Sequence, residues 1–227
     1  MLQACLNGSR TAREHPALPL TPERLAEDAA DVAALGVTSV HLHPRDVIGA
    51  ETLAGPEIAT TIATVRAAVP GIEISVSTDV PGNRVPLIAS WGPLAAGRPD
   101  IASVHVRDPA WRELAQALHR VNVQVDLVLE APADLGDLPD GVARITVAAT
   151  TATAEPLLRV AEPLGLPVLL HGRDAEAWPV LTRAARLEHH VRAGLEDTLL
   201  KPDGTRARNN AELVACARRN QRAKAPR

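Results

Sequence analysis

The sequence predicts an α/β protein, a single (β/α)8 TIM barrel, on three observations. Short β-branched runs alternate with Ala/Leu-rich stretches of helical period. The alternation recurs eight times, and no linker or shift of composition interrupts it. Over 227 residues each unit averages about 28 residues, near the size of the smallest barrels.

Strands are expected at 2–6, 37–43, 72–77, 101–106, 121–129, 144–148, 167–171 and 191–196, each a short run rich in Val, Ile and Leu. Helical periodicity falls at 22–35, 56–69, 84–90, 110–120, 154–164, 175–187 and 210–222. The first helix carries Thr21 as its cap, Pro22 at its first position and Glu23 in its opening turn, with Gly36 as the stop. Residues 131–142 (APADLGDLPDGV) hold two Pro, two Gly and three Asp, so the fifth helix is expected to be missing or reduced to a turn. The whole chain, 1–227, reads as one domain, with 218–227 a basic tail.

Composition narrows the function. The chain has 24 Lys+Arg against 27 Asp+Glu, a net charge of −3, and its aromatics are three Trp with no Phe or Tyr. A nucleic-acid partner needs a basic surface or stacking aromatics, and neither is offered. No apolar run of 18 residues occurs, and the start lacks the basic and apolar regions of a signal peptide, so a cytoplasmic protein with no membrane partner is expected. Cys5 and Cys216, at opposite ends of the chain, read as inert buried thiols.

The chemistry gathers where barrel strands end. His41 and His43 share one face of the second strand, with Leu42 turned outward to the helices. Two imidazoles so spaced suit a divalent metal, although the same pattern also occurs as hydrogen-bonded or surface histidines. On the eighth strand Arg192, Gly194 and Glu196 share the inward parity. Gly194 is expected to leave space in the barrel, and Glu196 at the rim can complete a His2Glu set with one position open. Asp197 follows at the rim, within reach of Arg192; a structural Arg–carboxylate pair is the other reading of that segment. Ser75, Ser77, Ser103, His105, Asp126 and His171 are further inward candidates, and the polar loop 7–11 can reach a substrate. No GxGxxG, P-loop, GxSxG or HExxH pattern is present.

The segments ACLNGSRT, HLHPRD with the PLTPERLAEDAADVAALGVTSV that precedes it, ISVST, PDIASVHV, PVLLHG with Trp178-Pro179, GLEDTLLKPDG and NNAELVACA resemble, in order, those of the beta-keto acid cleavage enzymes of the 3-keto-5-aminohexanoate cleavage type. The resemblance spans residues 4–217 and is most specific at HLHPRD and GLEDTL. It implies a Zn2+-dependent barrel enzyme, usually assembled as a homo-oligomer, that uses acetyl-CoA to cleave a β-keto acid into acetoacetate and a new acyl-CoA. Carried over by position, His41, His43 and Glu196 are the metal ligands and Asp197 the acid/base, with Arg192 its charged partner. Ser77 and Ser103 hold the keto-acid portion, and Asp126 stands in for a family Glu.

Two departures bear on the substrate. Arg10 stands, after a one-residue gap, where aminohexanoate-cleaving members carry an acidic residue, so an anionic or neutral side group is expected in place of an ammonium. His105 replaces a family Asn. The chain is also shorter than typical members around strands four to six, which bears on the CoA surface and the subunit contacts. Two alternatives stand beside this reading: a metal-dependent aldolase or lyase that does not use CoA, and a non-catalytic barrel that binds a metal or small ligand.

Overall fold

In the computed structural model, which describes residues 1–222, eight short strands lie side by side. They are β1 Leu2–Cys5, β2 Ser39–Leu42, β3 Glu73–Ser77, β4 Ile101–His105, β5 Gln124–Leu129, β6 Val142–Ala148, β7 Val168–His171 and β8 Val191–Ala193. Neighbours pair in parallel in the order β7-β6-β5-β4-β3-β2-β1-β8. The remaining seam closes through His190, just before β8. Its N–H donates to Val168 O and its carbonyl accepts from Leu170 N–H, both at 2.9 Å. The fold is therefore the expected (β/α)8 TIM barrel.

Seven helices cover it: α1 Pro22–Ala34, α2 Gly55–Ala68, α3 Arg84–Ala89, α4 Trp111–Arg120, α5 Ala154–Ala161, α6 Ala177–Arg186 and α7 Asn210–Arg222. Thr21 caps α1, its hydroxyl accepting from Arg24 N–H at 3.3 Å, a bond of the kind that contributes about 1 kcal/mol. Among the described residues no helix separates β5 from β6, as residues 131–142 suggested. Leu135 is buried there instead, and Arg112 of α4 donates to Leu135 O and Asp137 O, so the broken segment is held without a helix. The basic tail divides: residues 218–222 belong to α7, and 223–227 lie outside the described residues. Among the described residues no helix is long and apolar enough to cross a membrane.

One parity of each strand meets the helices in a core of Ala, Val, Leu and Ile around Trp91, whose indole N–H donates to Leu53 O at 2.9 Å. The other parity carries a polar network inside the barrel. Gln3 donates to Ser39, Ser39 to Glu73 at 2.6 Å, and Arg144 to both Glu73 (3.2 Å) and Asp126 (2.8 Å). Buried charges in such a network are tolerated because each finds a partner.

The eighth strand departs from expectation. It ends at Ala193, and residues 194–197 form a turn in which Asp197 and Thr198 N–H both donate to Gly194 O. Gly194 does not leave space in the barrel: an added Cβ would stand 2.0 Å from Cys5 O and 2.9 Å from Asn210 Oδ1. Glycine lets β1 and α7 approach the chain here, and that approach lifts Glu196 over the barrel mouth.

Candidate metal centre at the barrel mouth

His41 lies in β2 and His43 directly follows it, while Leu42 between them is buried in the apolar layer, as the alternation required. Their Nε2 atoms are 3.3 Å apart with the rings nearly perpendicular. Glu196 Oε2 stands 3.8 Å from the first and 3.9 Å from the second, and all three side chains are buried. One ligand atom from each residue thus falls within 4.8 Å of the others.

The far side of each ring fixes its orientation. His41 Nδ1 lies 2.9 Å from Ser75 Oγ, and His43 Nδ1 lies 2.5 Å from Glu51 Oε2. Burial works to raise the Glu51 pKa, but the His43 bond and the Arg45 guanidinium lower it, so the carboxylate is ionised and only accepts. His43 therefore offers Nδ1 to an obligate acceptor and turns Nε2 toward Glu196. Asn7 clamps the same residue from behind, donating to His43 O and accepting from His43 N–H, each at 2.9 Å. Burial pushes the His41 pKa well below the usual histidine value, although the Glu196 charge opposes it, so this ring is neutral.

Glu196 is divided between its two oxygens. Oε1 accepts from Arg192 Nη2 at 2.8 Å and meets Arg173 Nη2 at 3.4 Å, whereas buried Oε2 has no hydrogen-bond partner. Burial alone would raise its pKa; Arg192 and the two histidines hold it down at about 2. An ionised, buried, unpartnered oxygen beside two imidazole Nε2 atoms is costly unless a cation stands among them. Two His and one Glu, each oriented by a second bond, fit a divalent ion with a position left open.

Beside this set, Arg192 grips Asp197 with Nε to Oδ2 at 3.0 Å and Nη2 to Oδ1 at 2.7 Å, and His171 Nδ1 lies 3.3 Å from Oδ1. Burial works upward on Asp197, but Arg192 and His171 outweigh it and hold the carboxylate far below its ordinary range. Burial and Arg192 lower the His171 pKa, so its imidazole is neutral.

The cavity over the mouth is lined by His41, His43, Glu196, Arg192, Asp126, Ser77, Ser103, His105 and His171, all expected from the sequence. Asp197 lies just behind it, reaching it through Arg192 and His171. Asp126 is tied to Arg144, with one oxygen left unpaired. Arg10 does not line the cavity: it is spent on Asp174 (2.5 Å), Glu14 (3.2 Å) and Glu196 O (3.2 Å). Sequence reasoning missed Glu51, Arg144, Arg173 and the rim cluster in which Arg107 joins Asp79, Glu130 and His105. Only the Arg-rich, acid-rich character of the segments after β3, β4 and β7 hinted at them.

A structure of ObcA in binary complex with oxaloacetate is 15% identical with a TM-score of 0.58, covering 92% of this chain and 64% of that one. The 3-keto-L-gulonate-6-phosphate decarboxylase of Vibrio cholerae is 12% identical with a TM-score of 0.57, covering 100% and 99%. At these identities the likeness is one of barrel fold, and the chain spans less than two thirds of the ObcA length. The family model for beta-keto acid cleavage enzymes matches residues 1–159 and 115–224, a span that contains both histidines, Glu196 and Asp197. This chain belongs to the beta-keto acid cleavage enzyme family.

Proposed function

We propose that the protein transfers the CH2–COO⁻ unit of a β-keto acid to the acetyl group of acetyl-CoA, yielding acetoacetate and the acyl-CoA of the remainder. The carbon–carbon bond beside the keto group breaks, a new one forms to the acetyl carbon, and the thiolate of CoA takes the released acyl group, so the exchange balances without a redox partner. The observation that carries this reading is the convergence of His41, His43 and the unpartnered Oε2 of Glu196, in a chain of this family. A related fold also accommodates such ligands: one ObcA structure is a ternary complex with a C4-CoA adduct and oxalate.

A divalent ion held by His41, His43 and Glu196, zinc by the character of its donors, would supply Lewis acidity toward a keto oxygen. The chain's own residues do the rest. Ser77, which ends β3, and Ser103, its partner in the middle of β4, offer hydroxyls to the keto acid, and His105 shapes the same wall. Asp197 is the acid/base in this reading, with Arg192 stabilising its charge and His171 connecting it to the cavity. Asp126, locked to Arg144, keeps a carboxylate oxygen on the cavity floor. The protein is taken as a cytoplasmic homo-oligomer acting on small molecules, the subunit number to be read by sedimentation.

The test is a panel of β-keto acids with acetyl-CoA, with and without chelator. Acetoacetate formation that needs both acetyl-CoA and metal is expected. Turnover without acetyl-CoA would transfer the reading to a metal-dependent aldolase or lyase. Bound metal with no turnover would make this a ligand-binding barrel.

A further inference from the structure

Three arginines line the cavity, Arg107, Arg173 and Arg192. Arg192 commits Nε and Nη2 to Glu196 and Asp197. Arg107 is enclosed by Asp79, Glu130 and His105; the His105 bond, then Arg107, hold the Glu130 pKa at about 2 against burial, so the guanidinium is already committed to two carboxylates. Arg173 differs from both. Its side chain is 58% exposed, and its sole hydrogen bond is a 3.4 Å contact to Glu196 Oε1, an oxygen that Arg192 already serves at 2.8 Å.

The backbone beneath Arg173 is nonetheless fixed. Asp174 N–H donates to Asp197 O at 2.6 Å, and the Asp174 carboxylate is held by Arg10. A guanidinium on a pinned base, with most of its donors unspent and a metal-ligand set alongside, is built to receive an anion.

We propose that Arg173 is a specificity-determining residue that binds a second carboxylate, so that the preferred substrates are β-keto diacids, and that Arg10 acts only as a positioning residue through Asp174. This deepens the reading given above and rests on it for the reaction. The two carboxylates are then read by different groups, one by the hydroxyls of Ser77 and Ser103 and the other by Arg173 beside Glu196.

The experiment compares 3-oxoglutarate and 3-oxoadipate with 3-oxohexanoate as substrates. In parallel, calorimetry measures adipate and hexanoate binding to the zinc-loaded protein. Arg173→Gln is expected to raise KM for the diacids and weaken adipate binding by about 10- to 100-fold, the scale of a charge-assisted pair. Values for the monoacids should stay within about threefold and zinc content should not change. Arg173→Glu should invert the preference toward a β-keto amine. Equal losses on diacid and monoacid, loss of zinc, or unchanged adipate binding would each overturn the proposal. If the wild-type protein turns over none of the acids, the reaction assignment fails, while the adipate arm still decides the role of Arg173.

Discussion

Glu51 Oε2 lies 2.5 Å from His43 Nδ1, so a carboxylate eight residues further along the chain decides which nitrogen of His43 faces Glu196. Glutamine at this position can present either an acceptor or a donor to the ring and no longer imposes the tautomer. Glu51→Gln is therefore expected to weaken zinc affinity by about 10- to 100-fold, measured by competition with a chromophoric chelator. Unchanged affinity would assign the orientation of His43 to the Asn7 clamp alone.

As the proposed acid/base, Asp197 would serve the chemistry without touching the proposed ion. Asp197→Asn is expected to retain stoichiometric metal while kcat falls by about 10²–10⁴-fold, the usual scale for a general acid/base. Metal analysis and turnover on the same preparation check this. Full activity would remove Asp197 from proton transfer and leave it as the anchor of Arg192.

Gly8 sits at φ +58°, and a Cβ there would stand 2.3 Å from Cγ of Glu196. Gly8→Ala is thus expected to cost about 1–3 kcal/mol through strain and crowding, and to push Glu196 off the imidazoles. Reduced metal stoichiometry with a lowered denaturation midpoint is the expected pair of readouts. Retention of both would mean that the loop yields freely.

Asp28, joined through Asn210 to the N–H of Leu195, gives a pH signature of its own. Burial pushes its carboxyl up to about 6, against the bond from Asn210 Nδ2. Because the folded pKa is raised, the stability it contributes is present below about pH 4, the ordinary carboxylate value, and is lost as pH rises through about 6. Relative to wild type, Asp28→Asn should gain stability between pH 5 and pH 8 in denaturant titrations. A difference that stays constant over that interval would contradict the assignment.

The barrel was legible because strand and helix periods differ, and the His41–His43 pair because the two share a strand face. What escaped depends on backbone turns that periodicity does not encode. Glu51 lies in an irregular loop and meets His43 through the Arg45–Glu51 bridge, which no alternation announces. Glu196 was expected on the inward parity of a strand, yet it reaches the site from a turn created by the contact of Gly194 with β1. Arg10 was expected at the substrate, whereas Arg173 was not singled out. Only the location of Asp174, an acid that consumes the first and anchors the second, separates them.

The closure at His190 makes the seam between β7 and β8 the thinnest part of the wall, and the working groups stand on either side of it: His171 and Arg173 on one bank, Glu196 and Asp197 on the other. The Asp174–Asp197 backbone bond spans this gap like a rivet, with Arg10 bracing it from the first loop. Mechanical integrity of the ring and alignment of its reacting end consequently share the same few bonds, so loosening that rivet would disturb both at once.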